Sequence, residues 1–171
     1  MNDVVRDAFN QQIKNELFSG YLYLSMSAHF DHENLPGFAH WMRLQAQEEL
    51  AHAMRLFDYV LRRGGRVELH GIEAPTTDFG PPLSLFESVL EHERAVTGMI
   101  HGLFELSGKE GDWAAQQELQ WFIAEQVAGD LLDPRPHPVD GTNEAVVGTA
   151  FWYLGQEVHA PTDVVQDHGD R

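Results

Sequence analysis

Residues 45–59, Gln45-Ala46-Gln47-Glu48-Glu49-Leu50-Ala51-His52-Ala53-Met54-Arg55-Leu56-Phe57-Asp58-Tyr59, read as a helix that carries charge on its apolar face. Phe38, Trp41, Gln45, Leu56 and Tyr59 recur at helical spacing, and Glu49 and His52 fall on that same stripe one turn apart. A stripe that faces a core should be apolar, so the informative residues are those that break the rule. An ionised carboxylate is costly to bury unless it is paired or binds a metal.

Moving outward, the same anomaly recurs on other helical segments. From Val4 to about Phe30 the apolar positions Phe9, Ile13, Leu17, Gly20 and Leu24 predict one long helix, with Tyr21 and Tyr23 beside them. Glu16 lies on its inner face, in register with Phe9, Ile13, Gly20 and Tyr23. Leu35, Pro36 and Gly37 open the second helix, where proline suits a first turn. Gly64 and Gly65 end it. Residues 66–82 hold Gly71, Pro75, Gly80, Pro81 and Pro82 without a sustained period, which predicts a long ordered crossover. A third helix from about Leu83 to Ser107 places Glu93 among Phe86, Leu90, Val96 and Ile100. Gly108 and Gly111 mark its end. Trp113, Leu119, Phe122 and Ile123 begin a fourth helix, with Gln126 below them. The expected fold is all-α, a four-helix bundle with one long crossover.

Three inward carboxylates, one imidazole and one amide thus converge, while Lys14, Arg43, Arg62 and Arg94 fall mostly on other faces. A metal ion is the simplest neutraliser, and oxygen ligands with imidazole suit iron or manganese. The remaining histidines, His29, His32, His40, His70, His92, His101, His137, His159 and His168, are expected to be solvated or cavity-facing. Trp41, Trp113 and Trp121 are expected in the core or at an interface, and Tyr23 is the aromatic singled out as near the metal.

Whole-chain properties agree with that chemistry. The 171 residues fit one folded domain. The 27 acidic and 11 basic side chains give a formal net charge of −16, a field that attracts cations and repels nucleic acid and anionic membrane. There is no cysteine, which excludes disulfides, thiolate metal sites and thiol nucleophiles from the chain's own chemistry. No basic segment followed by an apolar run opens the sequence, and no stretch reaches the roughly 18 apolar residues of a membrane span. A soluble, cytoplasmic protein is expected, with neither nucleic acid nor membrane as partner.

The stretches Asn15-Glu16-Leu17, Gln47-Glu48-Glu49-Leu50-Ala51-His52, Leu56-Phe57-Asp58-Tyr59 and Gln120-Trp121-Phe122-Ile123-Ala124-Glu125-Gln126 closely resemble bacterial non-haem ferritins, members of the ferritin-like di-iron superfamily. The resemblance covers about residues 4–127. It implies a ferroxidase that oxidises ferrous iron with dioxygen or peroxide at a non-haem di-iron centre. The ferric product would be stored as a mineral in a hollow homo-oligomer, a 24-subunit shell. Position by position, Glu16, Glu49 and His52 would hold one iron. Glu49 would bridge to a second iron bound by Glu93, with Gln126 in its shell; Glu49 and, from its place near the metal, Tyr23 are the expected catalytic residues. Glu48 and Glu125 match positions of a third, neighbouring iron.

The same comparison discriminates within the superfamily. Glu125 is followed at Glu-x-x-His spacing by Ala128, so the symmetric site of bacterioferritins and most di-iron oxidases or reductases is absent. Leu50 stands where a haem-ligating methionine would follow the bridging glutamate. A sequestering or structural subunit with impaired turnover is the alternative reading. An oxidoreductase acting on another substrate is disfavoured by the missing second motif.

The pattern stops at one point. After Gln126 the family continues its fourth helix with an acidic run, whereas this chain has Ala128, Gly129 and Asp130, then Pro134, Pro136 and Pro138. The fourth helix is expected to be shortened, ending by about Asp133, with residues 1–133 as the four-helix domain. Residues 134–171 form an atypical segment in which Thr142 to Val158 could make another helix. An abrupt loss of consistency across levels suggests either a divergence of the tail or a change of reading frame near codon 128.

Overall fold

The computed structural model describes residues 1–128, as four helices in chain order: α1 (Asp3–His32), α2 (Pro36–Arg62), α3 (Pro82–Lys109) and α4 (Trp113–Ala128). The expected all-α arrangement is the one observed, with a crossover between α2 and α3. The domain division at residue 133, the end of α4 beyond Ala128, the Thr142 to Val158 segment, and His137, His159 and His168 lie outside the described residues.

Local chemistry explains the helix ends. Asn2 caps α1 by accepting the Val5 N–H at 2.9 Å on its side-chain oxygen. Three helices stop in the same way. Asn34 (φ 58°), Gly64 (φ 69°) and Gly111 (φ 69°) turn left-handed after α1, α2 and α3. The next residue in each case then donates back to an orphaned carbonyl: Leu35 to Phe30, Gly65 to Val60 and Asp112 to Ser107. Pro36 and Pro82 stand at the starts of α2 and α3, where a missing N–H costs no helical bond. Asp112 both caps α4, accepting from Ala115 N–H at 3.0 Å, and receives a two-pronged bond from Arg63 at 2.9 and 3.1 Å. The end of α2 is therefore tied to the start of α4.

The core joins all four helices: Val5, Phe9 and Ile13 from α1, Leu56, Tyr59 and Val60 from α2, Ile100 and Leu103 from α3, and Ala115, Leu119 and Phe122 from α4. A second aromatic group, Phe30, Phe38, Trp41 and Phe86, closes the other end through ring contacts of 5.2 to 5.8 Å. Gly20 lets α1 and α2 approach closely, since a Cβ there would sit 3.1 Å from the Ala46 carbonyl oxygen and 3.5 Å from Glu49 Cβ.

Two sequence expectations, for Leu24 and His92, are corrected. Leu24, read as part of the α1 stripe, is half exposed, and the wholly buried residue in that turn is Tyr23. Both lie within 60° of Gly20 on a helical wheel, so periodicity alone does not choose between them. Trp113, expected in the core or at an interface, is 71% exposed at the first position of α4 and so lies outside the core. His92 is half-buried and bonded within the bundle.

Candidate metal centre

The residues that break the apolar stripes are brought together in the bundle. Glu16 and Glu49 are buried, 1% and 7% exposed, on facing helices that Gly20 keeps close. With His52, one turn along α2, they present three ligand atoms that all lie within 4.8 Å of one another. Gln12, which sequence reading missed, donates to Glu16 Oε1 at 2.8 Å. The signal was available, because Gln12 lies one turn from Glu16. Glu16 Oε2 and Glu49 Oε2 are buried and accept no hydrogen bond. Leaving such acceptors bare is costly, and a cation is the partner their geometry suits.

Electrostatics carry the same message. Burial, then the facing Glu49 carboxylate, pushes Glu16 up to about 8, against smaller opposing effects of Gln12 and His52. Glu49 is likewise pushed up to about 8, first by burial and also by the Glu93 and Glu48 charges, while its contact with Glu16 opposes the rise. Two like charges in one dry site cannot both ionise cheaply without a counter-ion.

Glu93 stands apart. It is half-buried on α3, its titration is raised chiefly by burial, and it accepts a short hydrogen bond from the Tyr23 hydroxyl. Tyr23 is wholly buried, and burial followed by the Glu93 charge raises its own titration well above the ordinary value, so it keeps its proton. Among the described residues Glu93 joins neither tight ligand group. Gln126 reaches α3 through Thr97, whose hydroxyl oxygen is 2.7 Å from Gln126 Oε1 and 2.9 Å from the Glu93 carbonyl oxygen. With a single proton, that hydroxyl donates to one of them at a time.

A second group forms from Glu48, His52 and Glu125, again with ligand atoms within 4.8 Å of one another. Gln45 donates to Glu48 at 3.1 Å. The His92 ring packs T-shaped with Tyr23 at 6.1 Å and lies 2.8 Å from Ser19 Oγ. Ser19 spends its own proton on the Asn15 carbonyl, at 3.1 Å, so the imidazole is the donor in that contact. Burial lowers the His92 titration, which favours this neutral form.

Residues 6–129 match the ferritin-like domain family. The chain belongs to the ferritin family. A bacterial non-heme ferritin of Bacteroides fragilis is 42% identical over 127 residues, 74% of this chain and 80% of that protein. Its counterpart in Staphylococcus aureus is 35% identical over 126 residues, 74% and 76% of the two chains. Among solved structures, an open-pore ferritin of Archaeoglobus fulgidus is 49% identical with a TM-score of 0.74, covering 75% of this chain and 79% of that one. The Glu16, Glu49 and His52 group of this ferritin-family chain fits metal binding, and the family is one of iron storage. No helix among the described residues is long and apolar enough to cross a membrane.

Proposed function

We propose that this ferritin is a ferroxidase that stores iron. The observation that carries the reading is the pair of bare, buried oxygens on Glu16 and Glu49 beside His52. Ferrous iron is the substrate. Glu16, Glu49 and His52 would hold one ion, and Glu49 would bridge to a second held by Glu93, with Gln126 beside it. Hard carboxylate oxygens favour the ferric state over the ferrous one and so promote oxidation. In the balanced reaction two ferrous ions each give one electron to dioxygen, which takes up two protons and leaves as hydrogen peroxide. With peroxide as oxidant, two ferrous ions and two protons yield water instead. Binding displaces protons that burial keeps on Glu16 and Glu49. Tyr23 stands against the second site and would act there as a hydrogen donor to Glu93. Glu48 and Glu125, with His52 adjoining, would take a third ion.

The ferric product is then deposited in the cavity of a homo-oligomeric shell, 24 subunits by resemblance, in the cytoplasm. A second reading, sequestration with slow turnover, is favoured by one observation: Glu93 is tied to Tyr23 outside both tight ligand groups. Solution mass together with iron content tests storage, with a large iron-laden particle expected and an iron-free monomer contradicting it. Oxygen uptake on adding ferrous iron separates turnover from sequestration.

A further inference from the structure

Arg55 lies one turn beyond His52 on α2, and its guanidinium Nε donates to Glu118 Oε1 on α4 at 2.8 Å. Its Cζ stands 4.1 Å over the Trp121 ring, close enough for a cation–π contact. The other side of this arrangement is the candidate centre. The Trp121 and His52 rings meet edge-on at 5.6 Å and 77°, and Phe122 meets His52 at 5.7 Å. The indole therefore contacts both the guanidinium and the imidazole.

On α4, Glu118, Trp121, Phe122 and Glu125 follow at offsets of three, four and seven residues, so they share one face. Ion pair, ring contact and Glu125 are thus read off the same stripe, and the placement of one fixes the others. Arg62 reaches Glu118 at only 3.5 Å from a more exposed position, which leaves Arg55 as the principal cation on that carboxylate. The Glu118 side chain is 15% exposed and that of Arg55 38%, so the pair is partly sheltered from solvent screening. A planar guanidinium suits this position better than an ammonium, because it bonds the carboxylate in its plane while stacking through its face.

We propose that Arg55 is a positioning residue for the Glu48, His52 and Glu125 group. By holding Trp121 between itself and His52, it sets how closely Glu125 of α4 approaches Glu48 and His52 of α2. The Glu16, Glu49 and His52 group draws its ligands from α1 and α2 alone, so the approach of α4 does not set its geometry. The inference rests on the metal-binding reading of these residues.

Zinc titration of the full chain by calorimetry tests the proposal without any oxidation step. The parent should bind in more than one step, with the weaker steps including the Glu125 group. Arg55→Met should weaken the step that Glu125→Ala removes by about tenfold, the scale of losing an outer-shell partner, and leave the tightest step unchanged. Arg55→Lys, which keeps the charge but not the plane, should fall between parent and Arg55→Met. In the Glu125→Ala background, Arg55→Met should have no further effect on zinc binding, an outcome that general loosening of the bundle does not produce. Should Arg55→Met lose its helical signal, Arg55→Lys decides: a selectively weakened step supports the proposal and an unchanged isotherm overturns it. Superimposable isotherms for parent and Arg55→Met also overturn it. Failure of the underlying reading looks different, because Glu49→Ala would then leave the tightest step intact.

Discussion

Glu16 and Glu49 face each other from α1 and α2, each buried and each with one oxygen that accepts no hydrogen bond. That relationship has a stability consequence in the metal-free protein. Both carboxyls are raised from an ordinary value of 4.5 to about 8 on folding. The folded state therefore holds protons that the unfolded chain has released across this window. Stability falls as pH rises from about 4.5 towards about 8, because the unfolded state binds fewer protons there. Thermal melts in the presence of a chelator should show a lower midpoint at about pH 8 than at about pH 5.5, and Glu49→Gln should flatten the difference. A midpoint that climbs over this range in the parent, with no such gain lost in Glu49→Gln, contradicts the assignment.

Gly20 sets the spacing of that pair. Alanine there would ordinarily favour a helix by about 1 kcal/mol. Its Cβ, however, would lie 3.1 Å from a backbone carbonyl of α2, which cannot swing away as a side chain can. Overpacking of this kind costs roughly 1–3 kcal/mol, so the net change for Gly20→Ala is destabilising by about 1 kcal/mol. Denaturant unfolding measures the stability, and zinc calorimetry should show the tightest site weakened as well. A more stable variant with unchanged zinc affinity contradicts the close-approach argument.

Much of this was legible in the sequence, for a physical reason. Long helices whose apolar stripes repeat many times leave little freedom in register, so the sequence alone puts Glu16, Glu49 and His52 on inner faces. The choice between Leu24 and Tyr23 was not legible, because both lie close to the stripe and only packing against α3 selects Tyr23. Nor was the clamp of Arg55 on Trp121 and Glu118, because it joins residues far apart in sequence on two helices. Thr97 and Gln12 look unremarkable as letters. Each becomes informative only when its partner across or along the bundle is known.

The two proposed iron positions should differ in strength. One has three ligand atoms already gathered, while the other relies on Glu93, which is engaged by Tyr23, and on Gln126. Anaerobic ferrous titration should therefore show steps of unequal affinity, separated by at least about tenfold, the scale of one lost outer contact. Two equal, tight sites per subunit contradict this.

The tail carries a prediction at the level of the gene. The family match runs to residue 129, close to where the apolar stripe gives way to Pro134, Pro136 and Pro138. If the reading frame changed near codon 128, translating the other two frames downstream should reveal an acidic run followed by a leucine-rich helical stripe. Finding neither, together with a heat-stable hollow particle in solution, would show that this ending is a working alternative.

Glu49 is proposed to serve both irons during oxidation. Stopped-flow measurement of ferric absorbance and oxygen uptake, after mixing with about two ferrous ions per subunit, tests it most directly. The parent should oxidise iron rapidly, using about one dioxygen per two ferrous ions, as the electron count requires. Glu49→Ala should lose the fast phase by at least about 100-fold, beyond the usual loss of an outer-shell partner, with its helical signal near the parent's. His52→Ala should lose less. A Glu49→Ala protein that oxidises iron at the parental rate would contradict the account.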